Sequence, residues 1–160
     1  MIDFSVPGYI LRSGSGLDRA LLLQFMQRTY RELYPYNRYS HLAETVDRYL
    51  SPDTPLWWVE SSETRTPVGC LWLGNVMDQI RGDRHAYILL LYVHPHHRRQ
   101  GIGSALLHQA EEWAIDRGDR QIGLQVFCQN QAAIDLYQKM GYETQSFWMN
   151  KALWEEGRGK

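Results

Sequence analysis

The chain has little of several things, and each scarcity narrows what it can be. Two cysteines, Cys70 and Cys128, in 160 residues make no disulfide framework and point to a reducing compartment. No apolar run approaches the ~20 residues that a membrane helix needs. The opening MIDFSVPGYILRSG carries an early acid and no apolar stretch of signal-peptide length, so a cytoplasmic protein with no membrane partner is expected. Charge of one sign is also lacking: the net charge is −1, and no global field draws the chain onto nucleic acid. Repeats and low-complexity segments are absent.

What is present is globular. The chain is 44% hydrophobic and 12% aromatic, and its length suits one domain with a sizeable core. That domain is expected over 1–153, with 154–160 (WEEGRGK) a loose tail.

The pattern of elements mixes helices and strands. YILR (9–12) reads as a short strand. A helix is expected over 17–33, capped by Asp18, with Leu21, Leu22, Phe25, Met26, Thr29 and Leu33 on one face and Pro35 ending it. A second helix is expected over 41–50. LWWVE (56–60) and PVGCLWLGNV (67–76) read as an antiparallel hairpin. HAYILLLYV (85–93) has no solvated face and reads as a central strand. A helix over 101–117, a strand over 121–127, a helix over 130–140 and a strand pair around 142–153 complete the order. The strand–helix–strand unit from 85 to 127 must be parallel, because its helix returns the chain to the same edge. The fold class is therefore a mixed sheet, α/β or α+β in character, with a parallel crossover.

One stretch raises a chemical question: HPHHRRQGIGSALL, residues 94–107, puts paired arginines and two glycines where a helix must start. Glycine weakens a helix by about 1 kcal/mol relative to alanine. A helix N-terminus, however, offers unpaired N–H groups and partial positive charge. Gly101 and Gly103 leave the backbone open, Arg98 and Arg99 add donors, and Ser104 adds a hydroxyl, so the turn reads as a phosphate cradle. It is not a P-loop, because no G-K-[ST] follows. Nor is it a dinucleotide fingerprint, because Leu106 stands where a third glycine is required.

A second group lies on the helix at 130–140. Asn130 and Tyr137 are two turns apart on one face, with Ala133 between them leaving that face shallow. They suit an elongated ligand; equally, Asn130 reads as an N-cap and Tyr137 as a core-edge aromatic.

V-x-P-x-x-R-R-x-G-x-G, from Val93 to Gly103, resembles the acyl-CoA signature of the GNAT superfamily of N-acetyltransferases, and N-Q-A-A-I-D-L-Y-Q-K-M-G-Y (130–142) resembles that superfamily's next motif. The element order from 9 to 153 agrees. The resemblance implies a GNAT-like fold with a splayed parallel strand pair flanked by helices. It implies acetyl-CoA as cosubstrate, no metal, and an amine acceptor as the other partner. Its pyrophosphate would lie on the N–H groups of Arg98, Arg99, Gln100, Gly101, Ile102, Gly103 and Ser104. Pantetheine would bond like an extra strand to the backbone around Leu91, Tyr92 and Val93. Asn130 and Ala133 would contact the cosubstrate, and Tyr137 would be the proton donor as well as a cosubstrate contact. A homodimer is left open.

One more absence bears on the chemistry. Ile88-Leu89-Leu90-Leu91-Tyr92 holds no acid, where many members of the superfamily have a carboxylate to take the acceptor's proton. The base is therefore absent, supplied elsewhere or replaced by water. A missing base disfavours a strongly basic amine and tilts the reading toward an α-amino or otherwise weakly basic acceptor. It also keeps open a non-catalytic acyl-CoA-binding domain. His94, His96 and His97 have no carboxylate or cysteine beside them and read as solvated loop residues, not a metal set. Cys128 reads as a bystander thiol. Tyr30, Tyr34, Tyr36 and Tyr39, with Trp57, Trp58 and Trp72, either line an acceptor pocket or pack the core.

Overall fold

The computed structural model describes residues 4–154. Strand β1 (Tyr9–Ser13) leads to helices α1 (Arg19–Leu33) and α2 (Leu42–Tyr49). Then come β2 (Leu56–Ser61), β3 (Pro67–Met77), β4 (Arg84–Val93), α3 (Ile102–Arg117), β5 (Ile122–Leu124) and α4 (Gln131–Lys139). The sheet runs β1-β2-β3-β4-β5. Its first four strands pair antiparallel, and β4 pairs with β5 in parallel. Among the described residues no helix is long and apolar enough to cross a membrane.

Two apolar layers cover the sheet. Leu22, Phe25 and Met26 of α1, with Leu42 and Val46 of α2, pack on Leu56, Trp58, Cys70 and Trp72. On the other face Ile102, Leu106, Leu107 and Ala110 of α3 pack on Trp57, Val59, Leu71 and Leu73. The period-two alternation of β2 and β3 thus feeds both layers, which is why LWWV (56–59) and CLWL (70–73) are apolar throughout.

Strand β4 breaks that alternation. Its residues Ala86 and Ile88 sit in the α3 layer, yet Leu90 and Tyr92 sit in the α1–α2 layer. The cause is a bulge: Trp72 faces Leu90 and Leu73 faces Ile88, so Leu89 has no partner on β3 and every later side chain changes face. Gly74 makes room for it, since a Cβ there would lie 2.8 Å from Leu89 Cδ1.

The structure departs from the sequence-based expectations at three places. Asp18 does not cap α1 with its side chain. Ser15 instead caps a short turn over 16–18, and Asp18 accepts the Ser15 N–H in a reciprocal capping box. The strand expected over 121–127 stops at Leu124. The strand pair expected around 142–153 is not formed: residues 143–153 carry no strand, and Phe147, Trp148, Met149 and Leu153 are exposed. With β5 only 3 residues long, little edge is left for a further strand to extend, and adjacent Phe147-Trp148-Met149 gives no alternating face. Trp154 is exposed; the rest of the expected tail, 155–160, lies outside the described residues.

Gly74→Ala should destabilise the protein by about 1–2 kcal/mol through overpacking against Leu89. Urea denaturation measures this, and Leu89→Ala in the same chain should recover part of the loss. Equal stability of Gly74→Ala and the parent would show that the bulge does not need the glycine.

Candidate active site

The parallel pair is short. Its registered partners are Ala86 with Ile122, Tyr87 with Gly123 and Ile88 with Leu124, and there it ends. Strand β4 continues to Val93, so from Leu89 onward its β5-facing edge has no strand partner. The split starts at the bulge residue. Backbone groups of this stretch that do not pair with β3 therefore face a slot with no strand in it, apart from the Val93 carbonyl, which accepts from Arg98 Nε. Unpaired groups of that kind bind an extended chain well. The root of the pair is secured by Asp119, whose carboxylate accepts the Ala86 N–H at 2.7 Å and pairs with Arg117. Its hydrogen bonds with Arg117 hold the Asp119 carboxyl below its ordinary pKa, against the opposing effect of burial.

At the end of β4 the chain turns through Pro95–His97 and enters α3 with Gly101 as N-cap. Gly101 has φ +88 and open space where a Cβ would be; Arg99 is also left-handed, at φ 63. The cap supplies no side-chain acceptor, so first-turn N–H groups, including those of Gly103 and Ser104, keep their donor capacity. Ile102 is buried in the α3 layer and fixes the helix start to the core.

Two anchors that the sequence did not reveal hold this turn. On one side the Tyr9 hydroxyl of β1 donates to Gln100 Oε1 at 3.1 Å and accepts from His97 Nδ1 at 2.7 Å. On the other, Arg98 Nη2 donates to both carboxylate oxygens of Glu32 of α1, at 2.8 and 2.9 Å, with its Nε donating to the Val93 carbonyl. Glu32 also accepts from the Tyr92 phenol at 3.2 Å. Arg98 is thus engaged within the protein, whereas Arg99, Gln100 and Gly101 are exposed. Arg99 makes no ion pair among the described residues. No local sequence signal ties Glu32 to Arg98, because the contact spans 66 positions.

Helix α4 borders the same region. Asn130 Oδ1 accepts the Ala133 N–H at 3.3 Å as a side-chain N-cap. Leu136 lies 3.0 Å from the position of a Cβ on Gly103, so that glycine also sets the approach of α4 to α3. The Tyr137 ring is partly buried against the α3 layer, as Leu91 and Val93 also are, and it meets Tyr142 edge-on at 5.7 Å. Burial pushes the Tyr137 phenol up to about 12.

The aromatic cluster divides. Trp57, Trp58, Trp72 and Tyr39 are buried core and Tyr36 is exposed. Tyr30 and Tyr34 alone reach the split side, edge-on to Phe127 at 6.1 and 5.3 Å. Gln129 donates to the Tyr34 hydroxyl. Cys128 is an exposed free thiol.

A mixed sheet that opens at its parallel pair, beside a glycine-capped helix, defines a class of α/β protein suited to an extended ligand with an anionic segment. The chain matches the acetyltransferase (GNAT) family over residues 23–142 and belongs to it. It is 35% identical over 82 residues to an N-acetyltransferase of Methanocaldococcus jannaschii described as uncharacterized, covering 48% of this chain and 34% of that one. A Pyrococcus furiosus structure assigned as an acetyl transferase has TM-score 0.73 and 24% identity, covering 91% of this chain and 99% of that one. A Clostridium acetobutylicum structure, assigned as an acetyltransferase and solved with acetyl-CoA, has TM-score 0.75 and 18% identity, covering 91% and 96%. The chain spans 34% to 60% of the length of the first curated relatives it matches.

Gly103→Val should weaken acetyl-CoA binding at least tenfold, by crowding the turn and pressing α4 outward. Arg98→Ala should weaken it less, because its guanidinium already has a carboxylate partner. Calorimetric titration checks both. An unchanged affinity in folded Gly103→Val protein would remove the glycine from the binding site.

Proposed function

We propose that residues 1–153 act as one N-acetyltransferase domain moving an acetyl group from acetyl-CoA to a primary amine by direct attack. The observation that carries this reading is the unpaired edge of β4 beyond Ile88, beside the open first turn of α3 and within the cluster that holds Tyr137. An extended pantetheine fits the slot along Leu91, Tyr92 and Val93. Pyrophosphate fits the N–H groups from Arg99 to Ser104, the Arg98 N–H being given to the Pro95 carbonyl, with Arg99 adding unspent charge. Asn130 and Ala133 contact the cosubstrate from the start of α4. Two free thiols, one of them buried, suit a reducing, cytoplasmic setting.

In the reaction the neutral amine attacks the thioester carbonyl. A C–N bond forms, the C–S bond breaks, and the amine loses a proton while the CoA sulfur gains one. With a pKa near 12, Tyr137 lies about 3.5 pH units above an ordinary thiol, so full proton transfer to a formed thiolate is uphill by about 5 kcal/mol. Its contribution is a hydrogen bond to the sulfur as charge develops, exchanged for a proton from the substrate.

No acid stands on the open half of β4, and Glu32, the carboxylate that reaches it, is already bound by Arg98 and Tyr92. The acceptor therefore has to arrive deprotonated. At pH 7.5 a lysine-like amine is about 0.1% neutral and an α-amine roughly a third, which favours an α-amino or weakly basic acceptor.

Tyr137→Phe keeps the ring and deletes the donor. It should lower kcat ~10²-fold with little change in acetyl-CoA affinity, read by steady-state kinetics beside a binding titration. A kcat within about threefold of the parent, with chemistry shown to be rate-limiting, would make Tyr137 a packing residue only.

The logarithm of kcat/KM should rise with pH along the ionisation of the amine itself, and the limb should move when an amine of different pKa is used. A limb fixed at one pH for both amines would establish a base in the protein. Binding of acetyl-CoA without turnover on any amine or free peptide N-terminus would instead assign an acyl-CoA-binding domain.

A further inference from the structure

A half-open depression of about 320 Å³ lies beside the middle of α1, on the β3 side of β4 and away from the split with β5. That volume falls at the lower end of small-molecule sites. Leu21 and Phe25 of α1 and Val68 of β3 form apolar walls, and Arg28, His94 and His97 stand among them.

The charge around it is one-sided. Arg28 lies 5.1 Å from the centroid of the Phe25 ring and has no hydrogen bond or ion pair among the described residues. Glu32, the one acid in α1, faces the other way into Arg98 and Tyr92. His97 Nδ1 donates to the Tyr9 hydroxyl, so the neutral ring presents only a lone pair at Nε2 and gives no donor to an anion. His94 uses Nδ1 to accept from the His96 N–H at 3.2 Å, which leaves its Nε2–H as a donor. Burial first, and then His96, Arg28, His97 and Arg98, depress the His94 pKa, with no carboxylate opposing them. Arg28 is thus an unpaired cation among the described residues, set against an apolar wall with the His94 Nε2–H beside it. This arrangement does not rest on the transferase reading.

We propose that this depression is a second small-molecule site, taking a small carboxylate with an apolar body. Its head meets the Arg28 guanidinium and the His94 Nε2–H, and its body lies against Leu21, Phe25 and Val68. Carboxylate on guanidinium supplies a charge-assisted bond, and the walls supply burial that a bare anion cannot use.

The test is an NMR titration of the full chain with hexanoate, inorganic phosphate and hexylamine, each with and without saturating CoA. Hexanoate should shift the His94 and His97 rings and the Leu21 methyls saturably, whether or not CoA is present. Phosphate and hexylamine should bind at least several-fold more weakly. Arg28→Gln, at an exposed helix position, should keep the parent melting temperature and weaken hexanoate about fivefold. Hexylamine binding as tightly as hexanoate would overturn the proposal, and so would phosphate doing so. Displacement of hexanoate by CoA, absence of shifts at these residues, or an unchanged Arg28→Gln affinity would overturn it as well. None of these readouts uses acetyl transfer, so failure of the transferase reading would be seen separately.

Discussion

The parting of β5 from β4 after Ile88 is the constraint on which the rest of the candidate site depends. Two parallel strands that stayed paired would satisfy each other's backbone groups and leave nothing for a ligand. Here the pairing ends with Ile88 and Leu124, and the bulge at the next residue bends β4 and switches the faces of its side chains. Leu90 and Tyr92 then pack in the α1–α2 layer, while Leu91 and Val93 pack against the α3 layer. The one unpaired residue thus lies where the parallel pairing ends and decides which face each later side chain of β4 takes.

The elements around the slot are held by contacts distant in sequence. Asp119 fastens the closed end of the pair through the Ala86 N–H. Tyr9 and Glu32, from the first strand and first helix, grip the turn between β4 and α3 from opposite sides. Gly103 lets Leu136 approach α3, so the glycine that frees the helix start also sets the position of Asn130 and Tyr137. A rigid surround of this kind leaves the first-turn N–H groups oriented before a ligand arrives, which lowers the cost of binding.

Much of this architecture was legible in the sequence, because apolar periodicity reports burial directly. The hairpin, the long apolar strand, the helix after the glycines and the helix carrying Asn130 and Tyr137 all fall within a residue or two of their expected bounds. The bulge was not legible: a run as uniformly apolar as AYILLLYV reads the same whichever face each residue takes. Glu32 was not legible either, since its value lies in a contact with Arg98. The aromatic cluster could be divided only by the fold, which buries Trp57, Trp58 and Trp72 and leaves Tyr30 and Tyr34 beside Phe127. The strand pair around 142–153 was read from local composition, but a strand needs an edge to pair with, and β5 provides little.

The central claim is that the open edge of β4 and the first turn of α3 together bind acetyl-CoA. Amide hydrogen exchange on the full chain, with and without acetyl-CoA, tests it residue by residue. Added protection should concentrate in Leu89–Val93 and Ile102–Ser104 and leave β1 and β2 unchanged. Binding with no added protection in either segment, or no binding at all, would contradict the account.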